Sequence, residues 1–90
     1  MTDDEEPADP HGVDVDAREL RCPLPIIRLA AAARLVPPGT VVTVLSTDPA
    51  AEPDIAAWCR MRGAQLLGQD WTADATGQFL RSRVRVLSGS

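Results

Sequence analysis

The tripeptide Pro37-Pro38-Gly39 constrains this chain more than any other feature, because it separates the two most strongly patterned segments. Upstream, residues 23–36 place Ile26, Ile27, Leu29, Ala30, Ala33 and Leu35 in a broad apolar stripe at helical spacing, and the alanine run at 30–33 favours helix. Downstream, residues 40–45 read TVVTVL, almost continuously apolar and β-branched, which suits a strand in the middle of a sheet. A helix does not run through two prolines and a glycine. The chain must therefore stop its helix there and pass directly into a central strand.

Around this junction the other elements follow. Residues 13–17, VDVDA, alternate apolar and polar, the pattern of a strand with one buried face, and residues 18–21 turn out of it. Ser46-Thr47-Asp48-Pro49 reads as a helix start, with Asp48 as cap and Pro49 in the first turn. Pro53 shifts the expectation to a turn over 49–52 and a helix over 53–62. Ile55, Trp58, Cys59 and Arg62 lie on one side of that helix, and Gly63 ends it. Residues 65–71 predict a third strand, 72–77 a loop, and 78–87 a fourth strand with Val84 and Val86 inward and Arg81, Arg83 and Arg85 outward. The order β-α-β-α-β-β predicts an α+β fold: a two-layer sandwich with two helices on one face of a mixed four-stranded sheet. The first two strands would be parallel and the last two a hairpin.

Length and charge narrow the function classes. Ninety residues suit one small domain. Residues 1–17 hold seven acids and no base, whereas residues 18–90 hold nine arginines against six acids. Residues 1–12 are expected as a disordered acidic tail and 13–90 as the folded domain. Trp58, Trp71 and Phe79 are the only aromatic residues, so base stacking is not an obvious plan and direct nucleic-acid binding is not expected. No long apolar run and no apolar N-terminal stretch occur, which argues against a membrane span and a secretory signal. Two cysteines 37 residues apart form no disulfide framework, and a reducing cytoplasm is the expected setting.

The chemistry concentrates at Cys22-Pro23-Leu24-Pro25, at the door of the first helix. The first N–H groups of a helix have no internal partners, so Pro23 and Pro25 at the first and third helical positions cost little and stiffen the start. Cys22 is then expected at the N-cap, with the N–H groups of Leu24 and Ile26 as donors to its sulfur. Those donors and the neighbouring Arg21 predict a lowered thiol pKa on an exposed, reactive cysteine. From position alone, a reactive thiol and a buried cysteine that happens to precede a helix both fit. The only histidine, His11, falls in the tail, which argues against a Cys–His catalytic pair. Cys59 reads first as a small buried apolar residue and second as a possible partner thiol for Cys22. Two cysteines and a tail histidine fall short of a zinc site, so no metal is expected.

In this order and spacing the residues resemble the TusA family of small sulfur carriers, also called SirA-like or YeeD-like. VDARELRCPLPIIRL resembles the family's leading strand, C-P-x-P motif and first helix. PPGTVVTVLSTDPAAEPDIAAWCRMRG resembles its Pro-Gly turn, second strand, Asp-Pro turn and second helix, and AQLLGQ and FLRSRVRV its last two strands. The chain departs in having only Arg28 and Arg34 as basic residues along the first helix, Gly63-Ala64 where many members have Gly-His, and an acidic tail. The resemblance implies a sulfur relay in which Cys22 accepts a sulfane sulfur as a persulfide, with no other cofactor. The donor would be a cysteine desulfurase or a rhodanese-like protein, and the acceptor a further carrier or enzyme. Transfer RNA thiolation, molybdenum-cofactor enzymes and sulfur oxidation are the pathways it implies, and a monomer is the expected state. A regulatory interaction module of the same fold, or a redox switch using Cys22 and Cys59, are the alternatives.

Overall fold

In the computed structural model, which describes residues 12–87, six elements follow in the expected order. They are β1 (Gly12–Ala17), α1 (Leu24–Arg34), β2 (Val41–Ser46), α2 (Ala51–Arg62), β3 (Gln65–Asp74) and β4 (Gly77–Arg85). The sheet order is β1-β2-β4-β3. β1 and β2 run parallel, and β4 is antiparallel to both β2 and β3. The apolar run in β2 thus lies between two neighbours, as its composition demands. Val42, Val44 and Ser46 face the helices, and all three are fully buried.

Periodicity decides which side of each helix is inside. Pro25, Leu29 and Ala33, four residues apart, form the buried line of α1. Ile26 and Ala30 flank it, but Ile27 is 55% exposed and Leu35 84% exposed, so the inward stripe is narrower than expected. On α2 the buried line is Ala51, Ile55, Trp58 and Cys59. These side chains meet Leu80 and Val84 of β4 in one cluster. Each fully buried aliphatic contributes about 1.5–3 kcal/mol, a large share of a small domain's stability.

The element boundaries differ from expectation in places, each for a local reason. Gly12 belongs to β1, paired with Val41, rather than to the tail. The other residues expected as tail, His11 among them, lie outside the described residues, as do residues 88–90. α2 begins at Ala51 and not at residue 53, because Pro53 is its third residue and needs no N–H acceptor there. β3 continues to Asp74: Thr72, Ala73 and Asp74 pair with Phe79, Gln78 and Gly77, so the expected loop shrinks to a tight hairpin turn. β4 ends at Arg85, and Val86 then exchanges backbone hydrogen bonds with Gly39 and Thr40. Gly39, at φ 93, makes the turn between the two prolines and β2, and Gly63, at φ 72, ends α2 in the left-handed region.

Candidate functional site

Because β1 and β2 are parallel neighbours, the loops that follow them leave the sheet at the same edge. That edge also receives the N-terminal ends of α1 and α2. The sequence-predicted residues Arg21, Cys22, Pro23, Leu24, Pro25 and Ile26 all lie there, at the junction of the first loop and α1. Beside them is a hollow of about 350 Å³ lined by Glu19, Leu20, Arg21, Thr47, Asp48 and Pro49.

The start of α1 is built one residue later than expected. Pro23, at φ −95 and ψ 15, occupies the N-cap position, and the Cys22–Pro23 peptide is cis. Cys22 is therefore outside the cap. Pro25 sits within the first turn with its side chain fully buried, which anchors the helix start to the core. Leu24 does not donate to the sulfur: its N–H goes to the Arg21 carbonyl at 2.8 Å. The Ile26 N–H makes no hydrogen bond to the sulfur either, so neither of the two donors expected for Cys22 is in place.

The electrostatics at Cys22 run opposite to the expected lowering. Burial pushes the thiol up to about 11. A hydrogen bond to the Asp54 carboxylate and the charges of Asp54 and Asp48 push in the same direction. Arg21 does not offset them at the sulfur; its positive charge acts on Asp48, whose pKa it helps to lower. The larger causes of that lowering are the N–H groups of Cys22 and Ala50, held by Asp48 Oδ2 and Oδ1, each at 3.0 Å. Cys22 itself is half-buried, whereas Arg21, Pro23 and Leu24 are exposed. Leu24 and Ile27 stand 44% and 55% exposed, one turn apart along α1. The arrangement is a protonated, partly sheltered thiol beside an apolar rim.

Two acidic residues complete the site that the sequence reading did not place there. Asp48 was expected to cap α2, but Ala50 holds that position and Asp48 faces the Cys22 loop. Asp54 lies in the first turn of α2. Its signal in the sequence is the pair of acids, Glu52 and Asp54, at the start of a helix that shares an edge with Cys22. Glu19, in the same loop as Cys22, has a left-handed φ of 69 that costs a non-glycine residue about 1–2 kcal/mol. Its N–H is held by Thr47 Oγ1 at 2.7 Å.

Cys59 is 3% exposed within the core, and burial alone raises its pKa. Both cysteines are free thiols. Among the described residues no three His, Cys, Asp or Glu side chains come together as a metal site, and no helix is long and apolar enough to cross a membrane. Arg81, Arg83 and Arg85 do point away from the helices, but so do Asp14, Asp16, Asp70 and Asp74. Arg81 pairs with Asp70 at 3.1 Å. Arg18 reaches Asp16 at 2.8 Å and Asp74 at 3.2 Å while lying over the Phe79 ring. The open face of the sheet thus carries both signs and is not a basic stripe.

Comparison with known proteins agrees with this architecture. The family model described as Sulfurtransferase TusA matches residues 13–85. The sulfur carrier protein TusA of Pseudomonas entomophila is 34% identical over 73 residues, covering 81% of this chain and 91% of that protein. Its counterpart in Pseudomonas aeruginosa is 33% identical, covering 81% and 95%. A crystal structure of a SirA-like protein from Desulfitobacterium hafniense superposes with a TM-score of 0.62 at 27% identity, covering 82% of this chain and 97% of that one. With the match running from β1 to the end of β4, through the cysteine and both helices, the chain belongs to the TusA family.

Proposed function

We propose that this protein is a sulfur carrier and that Cys22 is the residue that carries. The observation that supports this most is the placement of the thiol: a half-buried cysteine at the edge where both helices begin, beside an exposed apolar rim of Leu24 and Ile27. A neighbouring protein can cover such a rim and bring its own sulfur to Cys22. In the transfer, the Cys22 sulfur attacks the outer sulfur of a persulfide on the donor. The donor's S–S bond breaks, a new S–S bond forms on Cys22, and the thiol proton of Cys22 passes to the departing donor thiolate. One thiol and one persulfide enter, and one of each leaves, so no external oxidant is needed.

The raised pKa suits a carrier between encounters. The thiolate is the form that oxidises and alkylates, so a thiol near 11 is protected until a partner changes its surroundings. A cysteine desulfurase or a rhodanese-like protein fits as donor, and a further protein thiol as acceptor. Reducing cytoplasm is the compartment in which two free cysteines persist. Delivery toward tRNA thiolation, molybdenum-cofactor enzymes or sulfur oxidation is compatible with this chemistry. The test is to incubate the protein with a desulfurase and cysteine and weigh it. One added sulfur on the wild type and none on Cys22→Ser is the expected result; no addition, or addition to the serine variant, overturns the proposal.

A further inference from the structure

The loop that carries Cys22 is held by side chains from another loop. Two consecutive residues after β2 reach across the sheet edge to the connection after β1. Thr47 Oγ1 accepts the N–H of Glu19 at 2.7 Å, and Asp48 Oδ2 accepts the N–H of Cys22 at 3.0 Å. The second oxygen, Oδ1, accepts the N–H of Ala50, the residue at the N-cap of α2. One carboxylate therefore ties the backbone of the cysteine to the start of the second helix. The tie is charge-assisted, because the N–H groups it accepts lower the Asp48 pKa and favour the ionised carboxylate. The bond to Glu19 falls at the one described non-glycine residue with positive φ, a conformation that persists only when its surroundings hold it.

We propose that Thr47 and Asp48 are positioning residues of the carrier site, a two-point stitch that sets where the Cys22 sulfur stands relative to α2; this rests on the carrier reading above. Both act through backbone N–H groups, at residues 19 and 22. Asp48 has a second and separable effect, since its negative charge also opposes ionisation of the thiol. The two residues are therefore distinguishable. Loss of Thr47 loosens the loop without changing its charge. Loss of Asp48 loosens the loop and eases ionisation together. Asp48→Asn is close to isosteric but offers one carbonyl oxygen to two N–H groups, so one of them must lose its acceptor.

The experiment uses the full chain and the variants Asp48→Asn, Asp48→Ala and Thr47→Val. Amide exchange followed by NMR reads the backbone ties, the pH dependence of iodoacetamide alkylation reads the thiol, and loading by a cysteine desulfurase with cysteine reads the function. For Asp48→Ala, exchange at the Cys22 N–H is expected to rise about tenfold or more, the loss of roughly one such hydrogen bond, while the β2–β4 ladder keeps its protection. The alkylation midpoint falls below the wild-type value for both Asp48 variants, and the loading rate drops about tenfold. For Thr47→Val, exchange rises at Glu19, the loading rate drops, and the alkylation midpoint stays. Unchanged exchange at residues 19 and 22, equal loosening of the sheet ladder, or unchanged loading by every variant overturns the proposal. A wild type that takes up no sulfur, with the exchange and alkylation changes present, removes the carrier reading and leaves the positioning of the thiol standing.

Discussion

Cys22 and Cys59 are the same chemical group packed against the same core, and the difference between them lies in what else touches them. Both thiols are pushed upward in pKa by burial. At Cys59 burial is the whole cause, on a helix face shared with Ile55 and Trp58. At Cys22 the Asp54 and Asp48 carboxylates join it, at a loop edge open to solvent. A core cysteine is kept neutral by the absence of water. The candidate carrier cysteine is kept neutral first by partial burial and then by two carboxylates, which a partner can neutralise or displace. Inertness at Cys59 is thus permanent, and at Cys22 conditional.

The largest effect that would break this comparison is a swap of roles. Cys59→Ala is expected to retain full sulfur loading and to lose about 1 kcal/mol of stability, close to the deletion of a small buried group, in a urea titration. Loading lost in this variant would make Cys59 part of the relay. Next comes the pH profile of alkylation. A shift from an ordinary 9.0 to about 11 leaves Cys22 about 100-fold less thiolate near neutral pH, so its alkylation should still climb above pH 9, while Cys59 reacts only on unfolding. The same shift sets a sign for stability. The unfolded thiol ionises first as pH rises past 9.0, so the folded state loses stability between there and about 11, which urea midpoints across that range would read. A midpoint that rises instead would reverse the electrostatic account.

A smaller change separates carboxylate from burial. Asp54→Asn should raise the alkylation rate of Cys22 at pH 8 by several-fold and leave that of Cys59 untouched. Equal rates in wild type and variant would remove Asp54 as a cause and leave burial and the Asp48 charge at Cys22. The smallest effect concerns Ser46, whose buried Oγ has no hydrogen-bond partner among the described residues, at the end of β2 just before Thr47. Ser46→Ala is expected to be neutral or to stabilise by up to about 1 kcal/mol in thermal unfolding, since an unpaired buried hydroxyl is removed. A clear loss of stability would mean that Ser46 holds a partner that tightens this edge.

Local chemistry made much of this legible beforehand. Alternation in residues 13–17, the β-branched run before Ser46 and the stop at Pro37-Pro38-Gly39 each act within a few residues, and they placed the strands and helices to within a turn. The boundary errors came from residues with two local readings. Pro53 reads as a breaker or as a first-turn residue, and Thr72 as loop or strand, depending on whether a partner strand lies alongside. Leu35 counts as apolar in any periodic pattern, yet it lies past the last helical residue and points to water.

Neighbouring residues carry the element order and mark the cysteine to watch, because helix starts, strand alternation and proline stops are local. The state of that cysteine is set by long-range packing. Asp48 and Asp54 lie 26 and 32 residues from Cys22 along the chain. They reach it because β1 and β2 pair in parallel, residue 17 beside residue 46, and open both loops at one edge. The helix start alone argues for a lowered thiol pKa; burial, joined by two carboxylates that the sheet register brings up, raises it instead.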